Sequence, residues 1–182
     1  MDDRRTQIID AGLALLGEEG LSGLTQPKIA ARTGLRQSHL TYYYPTRADL
    51  LAAVARAAVE RQAASARSMA ERITSVENAA KVLAAGTTLR ENTRVLVALN
   101  QAADREPEVR ALFNELTDAF IALLISVLDR LDLKATPANA DLVHGLFIGL
   151  SVANLATGRP DGEARSAAAL GAAFRLLVSE PA

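Results

Sequence analysis

The sequence predicts an all-α protein. It has a small N-terminal three-helix head with a helix-turn-helix pattern, followed by a larger C-terminal helical bundle, about nine helices in total. Three observations carry this. Apolar residues recur at helical spacing through most of the chain, and few segments alternate as half-buried strands do. Alanine and leucine, strong helix formers, are abundant. Cap and stop signals punctuate the chain between the periodic segments. With 182 residues, 49% hydrophobic and 23% charged, the chain has the composition of a packed globular protein rather than a disordered one.

The first helix is expected over 5–19, where Ile9, Leu13 and Leu16 form one apolar stripe with Ile8 and Leu15 beside it. Gly20 stops it. Thr25 stands as the N-cap of a short helix over 26–33, with Pro27 in the first turn, where a missing N–H breaks no bond. Gly34 suits a tight turn that needs positive φ. A second short helix follows over 36–43, with Leu35 and Leu40 facing inward. Two short helices joined through a glycine turn, with a third closing the core, form a helix-turn-helix.

Thr46 and Asp49 form a capping-box variant that starts a long helix over 47–73, the expected link between head and bundle. Thr74 and Glu77 read as a second box, opening a helix to residue 85. Further helices are expected over 89–103, 108–131, 137–156 and 163–179. The third of these helix starts, at Thr136-Pro137, has the preferred N-cap and N1 residues, and 157–162 is a loop. The head is placed at 1–48 and the larger domain at 49–182.

Several chemistries are not expected. The chain has no cysteine, so disulfides and thiolate catalysis are excluded and a reducing cytoplasm is the natural compartment. Its two histidines, His39 and His144, are far apart, so no zinc site is expected. The N-terminus has no apolar core of a signal peptide. The longest strongly apolar run, 119–128, is about half of what a membrane span needs. No paired carboxylates on a buried stripe, nucleophile frame or phosphate loop points to an enzyme, and no cofactor is implied.

The net charge of −1 says little, but its distribution says more. No acidic residue occurs from 20 to 48, whereas Lys28, Arg32, Arg36 and Arg47 are cationic. That is a local basic patch of the kind phosphate binding needs. All three tyrosines, Tyr42, Tyr43 and Tyr44, sit in GLRQSHLTYYYPTRADLL, between Arg36 and Arg47. The first turns of a recognition helix enter the major groove, which makes Gln37, Ser38 and His39 the base-edge candidates. Arg36 suits guanine or phosphate. Thr25, Lys28, Tyr42, Tyr43 and Arg47 suit backbone phosphates, Thr41 is a further DNA-binding candidate, and Tyr44 packs in the core.

At this point the N-terminal quarter resembles the TetR family of bacterial transcription regulators. The resemblance rests on IIDAGLALLGEEG, GLTQPKIAARTGL, the recognition helix and YPTRADLL. Leu16, Arg36, Thr41, Tyr43 and Tyr44 depart from the usual family residues. Most notable is Thr41, where a phosphate-contacting tyrosine is usual. The resemblance implies a homodimeric regulator, most simply a repressor that binds a palindromic operator and is released by a small-molecule effector.

In the larger domain, Asp141, Gly145, Gly149 and Ala153 share one face of their helix, and small residues recur in the last helix. His144, Gly145, Gly149, Ala153, Ala167, Gly171 and Phe174 are the expected dimer-interface residues. Leu96, Asn100, Phe113, Phe120, Phe147 and Asn154 are the expected ligand-binding residues, apolar walls with a few polar groups on buried stripes. Few aromatics and no tryptophan point to an aliphatic pocket rather than an aromatic cage. The competing reading is a helical ligand-binding or scaffold dimer whose DNA head has degenerated.

Overall fold

The computed structural model describes residues 3–178. Among these residues the fold is all-α, and strand pairing is limited to one isolated bridge, Leu133 to Val178. The helices are α1 (Asp3–Glu19), α2 (Gln26–Thr33), α3 (Gln37–Tyr43), α4 (Arg47–Glu71), α5 (Val76–Gly86), α6 (Arg90–Ala103), α7 (Pro107–Arg130), α8 (Pro137–Thr157) and α9 (Gly162–Leu176). A 3-10 turn at Leu21–Gly23, not expected from sequence, follows α1. The last helix ends at Leu176, short of the expected Ser179, which itself lies outside the described residues.

The chain forms two compact units: Met1–Gln62 with Arg94–Leu116, and Ala63–Thr93 with Thr117–Ala182. In the first unit, Ile8, Leu16, Ile29, Leu40 and Val54 are each 0% exposed. Leu99, Ala102, Val109 and Leu112, from α6 and α7, complete the same core. The head therefore does not close on itself with three helices, as the apolar stripes alone suggest. The start of α4 and parts of α6 and α7 supply the surfaces that dry its apolar faces. Gly12 permits a close approach of α1 to α4, since a Cβ there would stand 2.6 Å from a Val54 methyl.

The expected box at α4 is present and reciprocal. The Asp49 N–H donates to the Thr46 hydroxyl at 3.0 Å, and the Thr46 N–H and hydroxyl donate to the Asp49 carboxylate at 2.9 and 2.7 Å. These bonds hold the Asp49 carboxyl below its ordinary pKa of 3.8. A depressed carboxyl contributes stability at pH values above its unfolded pKa, and that contribution is lost as pH falls through the folded value. Thr46→Ala is expected to cost about 1 kcal/mol, seen as a melting midpoint lower by roughly 2–4 °C at neutral pH. The difference between Thr46→Ala and wild type should narrow below about pH 4, as Asp49 protonates. A gap of the same size at acidic pH would show that the carboxylate is not part of the cap.

The second expected box is displaced by one residue. Ser75, not Thr74, is the N-cap of α5, accepting from the Asn78 N–H at 3.2 Å. Asn78 reaches back to accept from the Thr74 N–H at 3.0 Å. Both polar partners were legible in TSVEN, and the register was set by the geometry of the turn. At α8 the expected cap holds: the Thr136 hydroxyl accepts from the Asn139 N–H at 3.2 Å, with Pro137 following it. Gly158 ends α8 at φ 60.

In the second unit, Leu128, Val143 and Leu170 are 0% exposed, and Phe174 is 1% exposed. This corrects the expectation for Phe174, which fills its own chain's core and is not available to a partner. Ala167 packs against the same core. A Cβ on Gly171 would meet Ala80 of α5 at 3.8 Å, so that glycine also lies against a helix of its own chain. His144 stacks edge-on with Phe120 at 5.6 Å, and burial pushes its pKa down, partly offset by Asp141. In contrast, Gly145, Gly149 and Ala153 are exposed. Nothing lies within 4 Å of a Cβ at either glycine.

Among the described residues two helices, α7 and α8, are long and apolar enough by length and composition to cross a membrane. The expectation drawn from the run 119–128 alone understated them. On α8 the apolar excess reaches the surface, with Leu142 49% and Val152 43% exposed.

Candidate nucleic-acid interface

The helix-turn-helix is set by a few backbone facts. Thr25 is the N-cap of α2 in position, but its side chain makes no cap bond. Gly34 ends α2 at φ 69, the left-handed conformation expected of it. Arg36 is the N-cap of α3 in extended backbone, so the helix begins one residue later than expected. The Gln26 side-chain amide donates to the Tyr44 carbonyl at 3.3 Å, tying the start of α2 to the end of α3. Sequence reasoning assigned Gln26 no role.

Helix α3 separates its residues by face. Leu40 is buried, and His39, Tyr43 and Tyr44 are half-buried. Arg36, Gln37, Ser38, Thr41 and Tyr42 are exposed. Tyr42, 80% exposed, stands edge-on to Tyr43 with ring centroids 5.1 Å apart. The Thr41 hydroxyl donates to the Gln37 carbonyl at 3.0 Å, leaving its lone pairs outward. Burial pushes the Tyr44 phenol pKa up, partly offset by nearby Arg5, which fits the expected core packing. Arg5 also lies 5.8 Å from the Tyr43 ring centroid.

His39 is half-buried, whereas its place among the base-edge candidates requires an outward ring. Its Nδ1 is buried without a hydrogen-bond partner. The face of α3 that points outward is therefore Gln37, Ser38, Thr41 and Tyr42, with Arg36 at its head.

The basic patch also needs correction. The segment 20–48 is free of acid in sequence, but the C-terminal turn of α1 brings Glu18 and Glu19 onto it. Lys28 pairs with Glu19, and Arg32 with Glu18 at 2.6 Å. The Arg32 hydrogen bond lowers the Glu18 pKa and raises that of Arg32. Both pairs are solvated surface contacts and contribute little to stability, yet they offset two of the four cations expected to meet phosphate. Arg36 and Arg47 are exposed, and neither forms a salt bridge among the described residues.

A further residue organises this unit without having been singled out. Arg94, near the start of α6, donates to the Gly17 and Glu18 carbonyls at 3.2 and 3.4 Å. These are last-turn carbonyls of α1, where a cation also complements the helix dipole. Only the fold reveals this role, because 76 or more residues separate the partners.

The expected ligand-binding residues are divided between the two units. Leu96 and Phe113 are half-buried in the first, whereas Asn100 is exposed rather than on a buried stripe. Phe120 and Phe147 are half-buried in the second. The Asn154 amide donates to the Thr87 hydroxyl at 2.9 Å and to the Ser166 hydroxyl at 3.1 Å. It is thus a partnered group in a polar knot with buried Thr87 and Ser166.

The chain matches two family models. One, described as bacterial regulatory proteins of the tetR family, covers residues 8–54. The other, described as a tetracyclin repressor-like C-terminal domain, covers residues 70–180. No curated protein sequence matches the chain. Among solved structures, a transcriptional regulator from Saccharomonospora viridis in complex with choline is similar at 17% identity, with a TM-score of 0.83 over 100% of both chains. A TetR transcription regulator from Haloarcula marismortui is similar at 18% identity, with a TM-score of 0.79 over 98% of this chain and 100% of that one. The multidrug binding protein EbrR complexed with proflavin is 28% identical, with a TM-score of 0.67 over 94% of this chain and 99% of that one. The head carries a helix-turn-helix with an exposed polar face, and both halves of the chain match the family's models: the protein belongs to the TetR family of bacterial DNA-binding transcription regulators.

Proposed function

We propose that the protein is a cytoplasmic, homodimeric repressor that reads a palindromic operator through α3 and is released by a small-molecule effector. The single observation that carries this is the exposed polar face of α3, Gln37, Ser38, Thr41 and Tyr42, on a helix whose opposite face is locked by Leu40. In this reading residues 1–48 bind DNA, and 49–182 bind the effector and dimerise. Gln37 and Ser38 read base edges, with His39 at the rim. Arg36, Thr41, Tyr42, Tyr43 and Arg47 hold phosphates, with Thr25 and Lys28 flanking them. Lys28 must exchange Glu19 for phosphate to take part.

The effector pocket is proposed within the second unit, with the half-buried Phe120 and Phe147 among its walls. The structural relatives named above hold choline and proflavin, which supports a small-molecule effector without identifying it. The effector acts only by binding the DNA-competent and DNA-incompetent states with different affinity.

Gel-shift titration on the promoter of the adjacent genes tests the reading. Gln37→Ala is expected to weaken specific binding by about tenfold, a loss of roughly 1–3 kcal/mol, with little effect on non-specific DNA. Tyr42→Ala should weaken both kinds of DNA alike, since phosphate contacts carry no sequence information. Arg36→Ala should lower the salt slope by about one if it meets phosphate. Unchanged binding in all three variants would remove α3 as the reading surface. Failure to retain any genomic site would favour a scaffold dimer with a degenerate head.

A further inference from the structure

We propose that the second unit carries a polar ligand site, distinct from the effector pocket, for a small molecule that joins a carboxylate to a hydrogen-bond donor such as a hydroxyl. The site is a cavity of about 200 Å³ where the α5–α6 turn faces the α8–α9 turn. It holds roughly seven waters' worth of space, which suits a short hydroxy acid and not a drug-sized effector. Its polar lining is Thr87, Thr88, Thr93, Arg90, Asn154 and Arg159, and no carboxylate lines it.

The hydrogen-bond inventory of this lining sets the ligand chemistry. Each threonine hydroxyl already donates its proton to a backbone carbonyl: Thr87 to Ala84 at 2.7 Å, Thr88 to Ala85 at 2.8 Å and Thr93 to Leu89 at 3.2 Å. The Asn154 amide is spent on Thr87 and Ser166. The Thr87 hydroxyl is also held by Ser166 at 3.0 Å and by Asn154, so Thr88 and Thr93 offer acceptors and no free donor. The side-chain donors left are the two guanidinium groups. One Arg90 nitrogen lies 3.9 Å from where a Cβ would stand on Gly158, against the turn that closes the cavity. Arg90 forms no salt bridge among the described residues. Arg159 shares its charge with Asp161 at 3.5 Å, so the site retains net positive charge. Guanidinium forks match carboxylate geometry, and the threonine oxygens match a ligand O–H or N–H. Occupancy would bind the α5–α6 turn to the ends of α8 and α9.

Glycolate and acetate are suitable probes, because they share the carboxylate and differ by one hydroxyl. Isothermal titration and thermal melting of the full-length protein, without DNA and at matched ionic strength, read the site independently of the proposed regulation. Glycolate should bind and raise the melting midpoint, as expected of a ligand selective for the folded state. Arg90→Ala with Arg159→Ala should weaken glycolate by about tenfold or more, the loss expected of charge-assisted bonds. Both arginines are exposed, so the unliganded variant should melt as wild type does. Thr88→Val, similar in shape, should abolish the preference for glycolate over acetate and leave acetate binding intact. No heat and no shift with glycolate, or equal affinity in the double-arginine variant, would overturn the proposal. So would a glycolate preference that survives Thr88→Val.

Discussion

Leu40→Ala is expected to destabilise the protein by about 2–5 kcal/mol and to abolish operator binding at ordinary protein concentrations. Leu40 is 0% exposed and belongs to the core that joins α1, α2, α4, α6 and α7. Truncation removes the buried methyl groups and leaves a cavity that neighbours fill only in part. The effect on DNA exceeds the effect on stability because Leu40 is the only fully buried residue of α3. With it gone, a seven-residue helix loses its anchor, and Gln37 and Ser38 lose their fixed outward direction. Denaturant unfolding should show a lower midpoint. Gel shift at a temperature where the variant is still folded should show no specific binding at ordinary protein concentrations. Leu40→Met, which nearly conserves volume, should cost less than about 1.5 kcal/mol and retain binding. If Leu40→Ala keeps full operator affinity, α3 is held by something other than this core.

Much of the head was legible because its signals are local. The Thr46–Asp49 cap, the Gly34 turn and the inward Leu40 each follow from a few adjacent residues and a helical period. What the sequence hid was long-range. The acid-free stretch 20–48 promised four free cations, yet Glu18 and Glu19, just before it, fold back on Arg32 and Lys28. Arg94 looks like any surface cation until α6 is placed beside the end of α1. His39 sits at the right helical position for a base contact, but its ring is half-buried with Nδ1 out of solvent. Periodicity does not fix a helix's rotation that finely.

The larger domain was legible as helices and less so as surfaces. A stripe of small residues signals close approach, and it does not say to what. In α9, Gly171 approaches α5 of the same chain and Phe174 fills its core. In α8, the same kind of stripe faces outward. Asn100 shows the converse error, since an apolar neighbour at helical spacing does not make a polar residue buried.

Val152→Asp is expected to convert a dimer into a monomer and to lower operator affinity by roughly 10²–10⁴, the factor gained when two reading heads bind as one. On α8, Leu142, Gly145, Gly149, Val152 and Ala153 form an exposed stripe, with both glycines open above their backbone. Such a face exposes apolar surface and lets a second helix come close, as self-association about a two-fold axis requires. A carboxylate on this face would be desolvated when a second copy packs on it. Because Val152 is 43% exposed, the substitution should leave the fold of each chain intact, with an unchanged helical signal by circular dichroism. Light scattering after size exclusion should then give a dimer for wild type and a monomer for Val152→Asp. Gly149→Ala should weaken association less, since it adds one methyl group rather than a charge. A wild-type monomer, or a Val152→Asp protein that remains dimeric, would move the interface elsewhere. Loss of operator binding without loss of the dimer would show that this face of α8 acts on the heads by another route.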